Sequence, residues 1–218
     1  MKKLFLTLVC AVVALTASAQ RASSSSSSFF STESSDQPIT FSIRAGVNFA
    51  NVSITQDNVT LSPESKTGFN AGVAVDFPIL QSLYIQTGLY YTTKGCKVDT
   101  YKINAGFIEI PILASYRYTF SEAAQLQINF GPYFAYGVNG KLERESRGVT
   151  TKIDLFGSDN DGSYGLKRFD MGLQAGGGVT IAQHYFVGLA YEFGLVALNR
   201  GTGSIKTNNF MINLGYQF

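Results

Sequence analysis

The sequence predicts an all-β fold: a transmembrane antiparallel up-and-down β-barrel of eight strands with a side-chain-filled lumen. Three observations carry this. From Pro38 onward, apolar residues alternate with small or polar ones in segments of about ten residues. The links between segments alternate between long and tight. Aromatic residues gather at both ends of the apolar face, with aliphatic residues between them.

The first segment places Phe41, Ile43, Ala45, Val47 and Phe49 on one face, with Ser42, Arg44, Gly46 and Asn48 on the other. The second runs Phe69, Ala71, Val73, Val75, Phe77, and the third Leu83, Ile85, Thr87, Leu89, Tyr91. The fourth is Ile108, Ile110, Ile112, Ala114, Tyr116, Tyr118, and the fifth Leu126, Ile128, Phe130, Pro132, Phe134, Tyr136. The sixth is Phe169, Met171, Leu173, Ala175, Gly177, Val179. The seventh is Tyr185, Val187, Leu189, Tyr191, Phe193, and the eighth Phe210, Ile212, Leu214, Tyr216, Phe218. No segment has helical spacing. An even number of strands, each about 9–11 residues long, suits a tilted membrane crossing. Pro111 and Pro132 cannot donate to a ladder; a bulge is one way to accommodate Pro111 near the outer end of its strand, and Pro132 raises the same question.

The odd-numbered links are long or polar: 51–67, 93–106, 138–167 and 196–208. The even-numbered ones are tight, around Pro78–Gln81, Ser121–Ala123 and Ala182–His184. Outer-membrane barrels have short periplasmic turns and longer extracellular loops. This sets an expected orientation, with both termini periplasmic and the long links extracellular. Phe49, Phe69, Tyr91, Phe134, Tyr136, Phe169, Phe193 and Phe210 then ring the outer end, and Phe41, Phe77, Tyr118, Tyr185, Tyr216 and Phe218 ring the periplasmic end. Two aromatic girdles around an aliphatic band form a lipid-facing pattern, so outer-membrane lipid is the expected surrounding. A soluble barrel binding an apolar ligand would have to turn these aromatics inward, more bulk than eight strands hold.

The opposite face carries Arg44, Asp76, Gln86, Glu109, Arg117, Gln127, Asp170, Gln174 and Glu192. An eight-stranded barrel is just wide enough for side chains to fill, and buried charges must pair. Arg44 and Arg117 with Asp76, Glu109, Asp170 and Glu192 are therefore expected to form one internal ion-pair network that is structural. A narrow gated polar path is the alternative.

Composition narrows the function. Of 218 residues, 45% are hydrophobic and 15% charged, well below the roughly 25% charged residues of average soluble chains. A net charge of +2 offers no basic face for nucleic acid. Lys2 and Lys3, the apolar run Leu4–Leu15 and Ala17-Ser18-Ala19 form a secretory signal peptide over residues 1–19. Val9 before Cys10 argues against a lipoprotein leader. The leader holds two of the 17 basic residues and none of the 15 acidic ones, so the mature chain is balanced at zero. Cys96 is then alone, expected as an inert loop thiol. Residues 20–37 form a Ser-rich flexible periplasmic tail that lacks the apolar surface to order itself, and 38–218 form the barrel domain.

The chain resembles the PorT-like outer-membrane β-barrel family of Gram-negative bacteria across Phe41–Phe218. The likeness rests on Ile43-Arg44-Ala45-Gly46-Val47-Asn48, Gly68-Phe69-Asn70-Ala71-Gly72, Phe107-Ile108-Glu109-Ile110-Pro111-Ile112-Leu113, Arg168 through Gly176, and the closing Phe210 through Phe218. It implies location and fold, and it implies that the aromatic-ended last strand, with Phe218, is the signal read by barrel-assembly machinery. The secretion and gliding role of the family's namesake is not carried over.

No catalytic residue, cofactor or metal set is nominated. His184, the one histidine, falls in a tight turn at the wrong end for a rim hydrolase. Asp159-Asn160-Asp161-Gly162 departs from an EF-hand loop, since Arg168 stands where the closing acid belongs. Gly176-Gly177-Gly178 lacks the Lys-Ser or Lys-Thr of a phosphate loop and reads as a close backbone approach. Asn51-Val52-Ser53 and Asn58-Val59-Thr60 read as exposed link, and Lys141–Glu145 as strand extension beyond the membrane. The expected function is a non-enzymatic barrel with a structural or surface-interaction role, no open pore, and an extracellular or envelope protein as partner. The alternatives are a narrow channel or part of a secretion or transport assembly, and, less favoured, a membrane-embedded hydrolase.

Overall fold

The computed structural model describes residues 37–56, 59–61, 63–98, 101–121, 123–146, 149–156, 165–199 and 204–218. The signal peptide, the tail up to residue 36, Asn58 and the Asp159–Gly162 turn lie outside them.

Among the described residues ten strands form: β1 (Thr40–Gln56), β2 (Val59–Leu61), β3 (Glu64–Leu80), β4 (Leu83–Val98), β5 (Tyr101–Ser121), β6 (Ala124–Ser146), β7 (Val149–Asp154), β8 (Phe169–Ile181), β9 (Tyr185–Gly194) and β10 (Ser204–Gln217). Eight of them close in chain order, β1-β3-β4-β5-β6-β8-β9-β10, and β10 returns to β1 through a ladder from Ser42↔Gln217 to Thr55↔Ser204. Every neighbouring pair is antiparallel. Closure leaves the eight-stranded ring no open edge, so its backbone groups find partners without water. The short strands β2 and β7 pair only with β1 and β6, beyond the ring.

Alternation decides which side chains face out. Along β9, Tyr185, Val187, Leu189, Tyr191 and Phe193 are exposed, while Phe186, Ala190 and Glu192 are buried. The protein is inside-out relative to a water-soluble domain. Its exposed apolar set includes Phe41, Val73, Ile112, Phe130 and Leu214, and its buried set includes Arg44, Asp76, Arg117, Asp170 and Glu192. The girdle residues meet across strands. Phe49 stacks on Phe210 at 6.4 Å between ring centres, Phe69 lies 5.9 Å from Tyr91, and Tyr216 sits 5.7 Å from Tyr185 and 5.2 Å from Phe218.

Three details differ from expectation. The long links are largely sheet: β5 and β6 run for 21 and 23 residues, well past a membrane crossing. Lys94 and Cys96, expected in a loop, lie within β4, and Cys96 is buried. The polar run Thr92-Thr93-Lys94-Gly95 reads as a link, yet the inward parity of Gln86, Tyr90 and Thr92 continues through Lys94 and Cys96. Finally, Pro111 makes no bulge. The β4–β5 ladder passes from Thr87↔Ile112 to Tyr90↔Glu109 without a change of register, and the Pro111 carbonyl accepts a hydrogen bond from the Thr87 hydroxyl at 2.8 Å. A missing donor interrupts the ladder without inserting a residue. On the other side of this strand, the β5–β6 ladder shifts register at Val138, between Phe107↔Gly137 and Gly106↔Asn139.

The β8–β9 turn puts Ala182 and Gln183 at φ 51° and 63°, the left-handed region where a Cβ is crowded. Gln183→Gly should raise stability by about 0.5–1 kcal/mol in urea unfolding, the relieved strain exceeding the added chain entropy.

Candidate functional site

The inward residues form two layers rather than one network. In the layer nearer the tight turns, Arg117 Nη2 pairs with Asp76 Oδ2 at 2.8 Å, with its guanidinium 4.2 Å above the Tyr84 ring. Gln86 Nε2 donates to Asp76 Oδ1 at 2.7 Å, and its Oε1 accepts from Arg44 Nη1 and Asn129 Nδ2, each at 3.2 Å. Arg44 is thus tied to Asp76 through an amide rather than by a direct ion pair, and it stacks 4.1 Å over Phe186. The ring needs space, and glycine supplies it: a Cβ at Gly178 would lie 2.6 Å from the Phe186 ring.

The second layer centres on a residue outside the expected set. Lys94 Nζ lies 2.9 Å from Glu192 Oε2, 3.1 Å from Glu109 Oε2 and 3.6 Å from Asp170 Oδ2. All four side chains are at most 3% exposed. They come from β4, β5, β8 and β9, and β4 stands opposite β9 in the ring, so this lysine ties facing walls together. Its ammonium also lies 4.5 Å from the centre of the Tyr133 ring. Thr207 donates to Asp170 Oδ2 at 2.7 Å, and Asn209 donates to Glu192 Oε2 at 3.2 Å and accepts from Asn48 at 3.0 Å. These bonds satisfy acceptors that burial would otherwise make costly. The space lined by Arg44, Gln86, Glu109 and Asn129 is about 40 Å³, room for one or a few water molecules.

Above this layer the fifth and seventh links build a roof. Leu155 N–H donates to Gly140 O at 3.0 Å, Leu166 N–H to Leu155 O at 2.9 Å, Lys167 N–H to Leu198 O at 2.8 Å and Leu198 N–H to Ile205 O at 2.9 Å. Leu155, Phe156, Leu166 and Leu198 are buried against Phe107, Tyr133, Ala135 and Leu142. A Cβ at Gly137 would clash with the edge of the Phe156 ring. Gly137→Ala should therefore lift the roof at a cost of about 1–3 kcal/mol, read as faster protease nicking of the β7–β8 link on folded protein. In the β6–β7 hairpin, the hydrogen bond and charge of Lys152, 3.1 Å away, hold the Glu143 carboxyl below the usual carboxylate range.

Of the other singled-out residues, His184 sits exposed in its turn, with Nδ1 2.9 Å from Gln217 O and its ring stacked on Tyr216 at 5.4 Å. Phe218 N–H donates to Phe41 O at 2.9 Å, extending the closing ladder, while its ring stays exposed.

Comparison with solved structures finds small membrane barrels. The attachment invasion locus protein Ail of Yersinia pestis is 17% identical, covering 82% of this chain and 98% of that one, with a TM-score of 0.40. Neisserial surface protein A is 12% identical, covering 83% and 98%, with a TM-score of 0.43. OprG from Pseudomonas aeruginosa is 13% identical, covering 82% and 95%, with a TM-score of 0.39. No curated protein sequence matches the chain. The family described as outer membrane protein beta-barrel domain matches residues 19–199, from the end of the expected leader nearly to β10. With its inside-out burial, its closed eight-stranded ring and this match over most of its length, the chain belongs to the outer membrane protein beta-barrel domain family.

Proposed function

We propose that this protein is a non-enzymatic outer-membrane barrel that holds a closed lumen and works through its link end, as a structural or surface-interaction protein of the PorT-like kind. The observation that carries the reading is the lumen itself. Two layers of bonded side chains cross the ring, one on Asp76 and one on Lys94, and the space between them is about 40 Å³. A hydrated ion has no room to pass such a section without breaking buried ion pairs.

In this reading the termini are periplasmic and the roofed end is extracellular. The short β3–β4 and β8–β9 connections suit the periplasmic side, and the extended β4–β5 and β6–β7 hairpins suit the outer one. Outer-membrane lipid contacts the girdles, barrel-assembly machinery reads the last strand and Phe218, and an extracellular or envelope protein meets the links.

Purified mature protein in a planar bilayer should give no steady conductance; a reproducible open level would replace the closed-lumen reading with a narrow channel. Shortening the β6–β8 connection should leave the folded barrel in the membrane but abolish partner capture or weaken envelope integrity. If both persist, the interaction role is wrong.

A further inference from the structure

Directly beneath the roof lies a cavity of about 370 Å³. Phe107, Leu142 and Ile205 form its walls, and Leu155, Phe156 and Leu198 its cover. Its polar groups are few, chiefly Lys94 and Thr207 at the floor. Protein interiors are packed nearly as densely as organic crystals, with few voids larger than a water molecule. An apolar pocket offers water few polar partners, and its lining forgoes the contacts that an occupant would supply. The size falls in the range of sites for small organic ligands, which are typically apolar with a few placed polar groups.

The floor limits what fits. The Lys94 ammonium already faces three carboxyl groups within 3.6 Å, and the Thr207 hydroxyl already donates to Asp170. An anionic head would be repelled by the carboxyl excess and would find the one cation engaged. A charged head of either sign would lose its hydration among leucine and phenylalanine side chains. We propose that this cavity is a binding site for a small uncharged apolar molecule, seated under the Leu155–Phe156 cover with its base on the Lys94 layer. This goes beyond the closed-lumen reading and does not depend on which side of the membrane the roof faces.

The chain has no tryptophan, so one introduced at the cavity gives an unambiguous signal. Tyr101 lines the cavity from its rim, partly exposed. Tyr101→Trp protein in bilayer nanodiscs is titrated with bromobenzene, a neutral heavy-atom quencher, and with 4-bromobenzoate, its anionic counterpart. Phe130→Trp, on the exposed apolar face, reports simple partition into lipid. Bromobenzene should quench the Tyr101→Trp emission along a saturating curve by about half. It should quench Phe130→Trp only in proportion to the amount added, and 4-bromobenzoate should give no saturating component. Adding Ala105→Leu or Ile205→Phe, each of which fills the cavity, should remove the saturating component. Whichever double variant keeps the gel mobility of a folded barrel serves as the comparison. Identical unsaturated curves at both tryptophans, equal action by 4-bromobenzoate, or saturation that survives filling would each overturn the proposal.

Discussion

Lys94→Met lowers the stability of the folded barrel by about 3–5 kcal/mol, the largest effect expected of a single change in the lumen. The substitution keeps most of the side-chain volume and the contact with Tyr133, so packing loss is small. What remains is three carboxyl groups within a few ångströms of one another, at most 3% exposed, with no cation among them. Breaking a buried ion pair from one side costs more than the pair contributes, because the surviving charge stays desolvated. Removing two of the three carboxyl groups as well tests this cause. Glu109→Gln and Glu192→Gln in the Lys94→Met background should recover most of the loss, since neutral amides need no counter-charge. The check is urea unfolding in lipid vesicles, read as the fraction of unheated protein with folded gel mobility. A loss below about 1 kcal/mol for Lys94→Met, or no recovery in the triple variant, would contradict the hub role of this lysine.

Leu189→Arg should cost about 2–4 kcal/mol in the same assay, measured against Leu189→Ala. Leu189 is exposed midway along β9, paired with Ile212 and Gly177. In water an exposed leucine tolerates arginine almost freely, so a penalty of this size arises only if lipid surrounds the strand. Depth gives the internal control. Phe193→Arg, four residues nearer the link end in the aromatic girdle, should cost only about 0–1 kcal/mol relative to alanine, because the side chain reaches the interface. Equal costs at the two positions would remove the girdle assignment.

How far the sequence could be read depended on the range of the signal. Strand existence, count and facing were legible because alternation is local: a residue's parity within its segment decides whether it points to lipid or lumen. Arg44, Asp76, Glu109, Arg117, Asp170 and Glu192 are all buried inside, as their parity required. Strand ends were less legible. Lys94 keeps the inward parity of Gln86 and Thr92, but it follows two threonines and precedes a glycine, a composition that reads as a link. Following parity rather than composition past Tyr91 would have found it. The roof left no local pattern at all. Leu155, Phe156, Leu166 and Leu198 are scattered through two links and meet only because backbone bonds from Leu155 to Gly140 and from Lys167 to Leu198 draw those links over the ring.

The sequence by itself determined an eight-stranded antiparallel barrel with aromatic girdles, an aliphatic band and a charged interior, because each of these follows from period-two alternation and the order of long and short links. Only the tertiary structure decided the partners. Pairing across a lumen depends on the stagger of eight strands and on side-chain reach. Arg44 therefore met Gln86 rather than a carboxylate, Lys94 drew together Glu109, Asp170 and Glu192 from three other strands, and the expected single network split in two. The cavity above them has the same origin: apolar residues far apart in the chain enclose a space that no stretch of sequence marks.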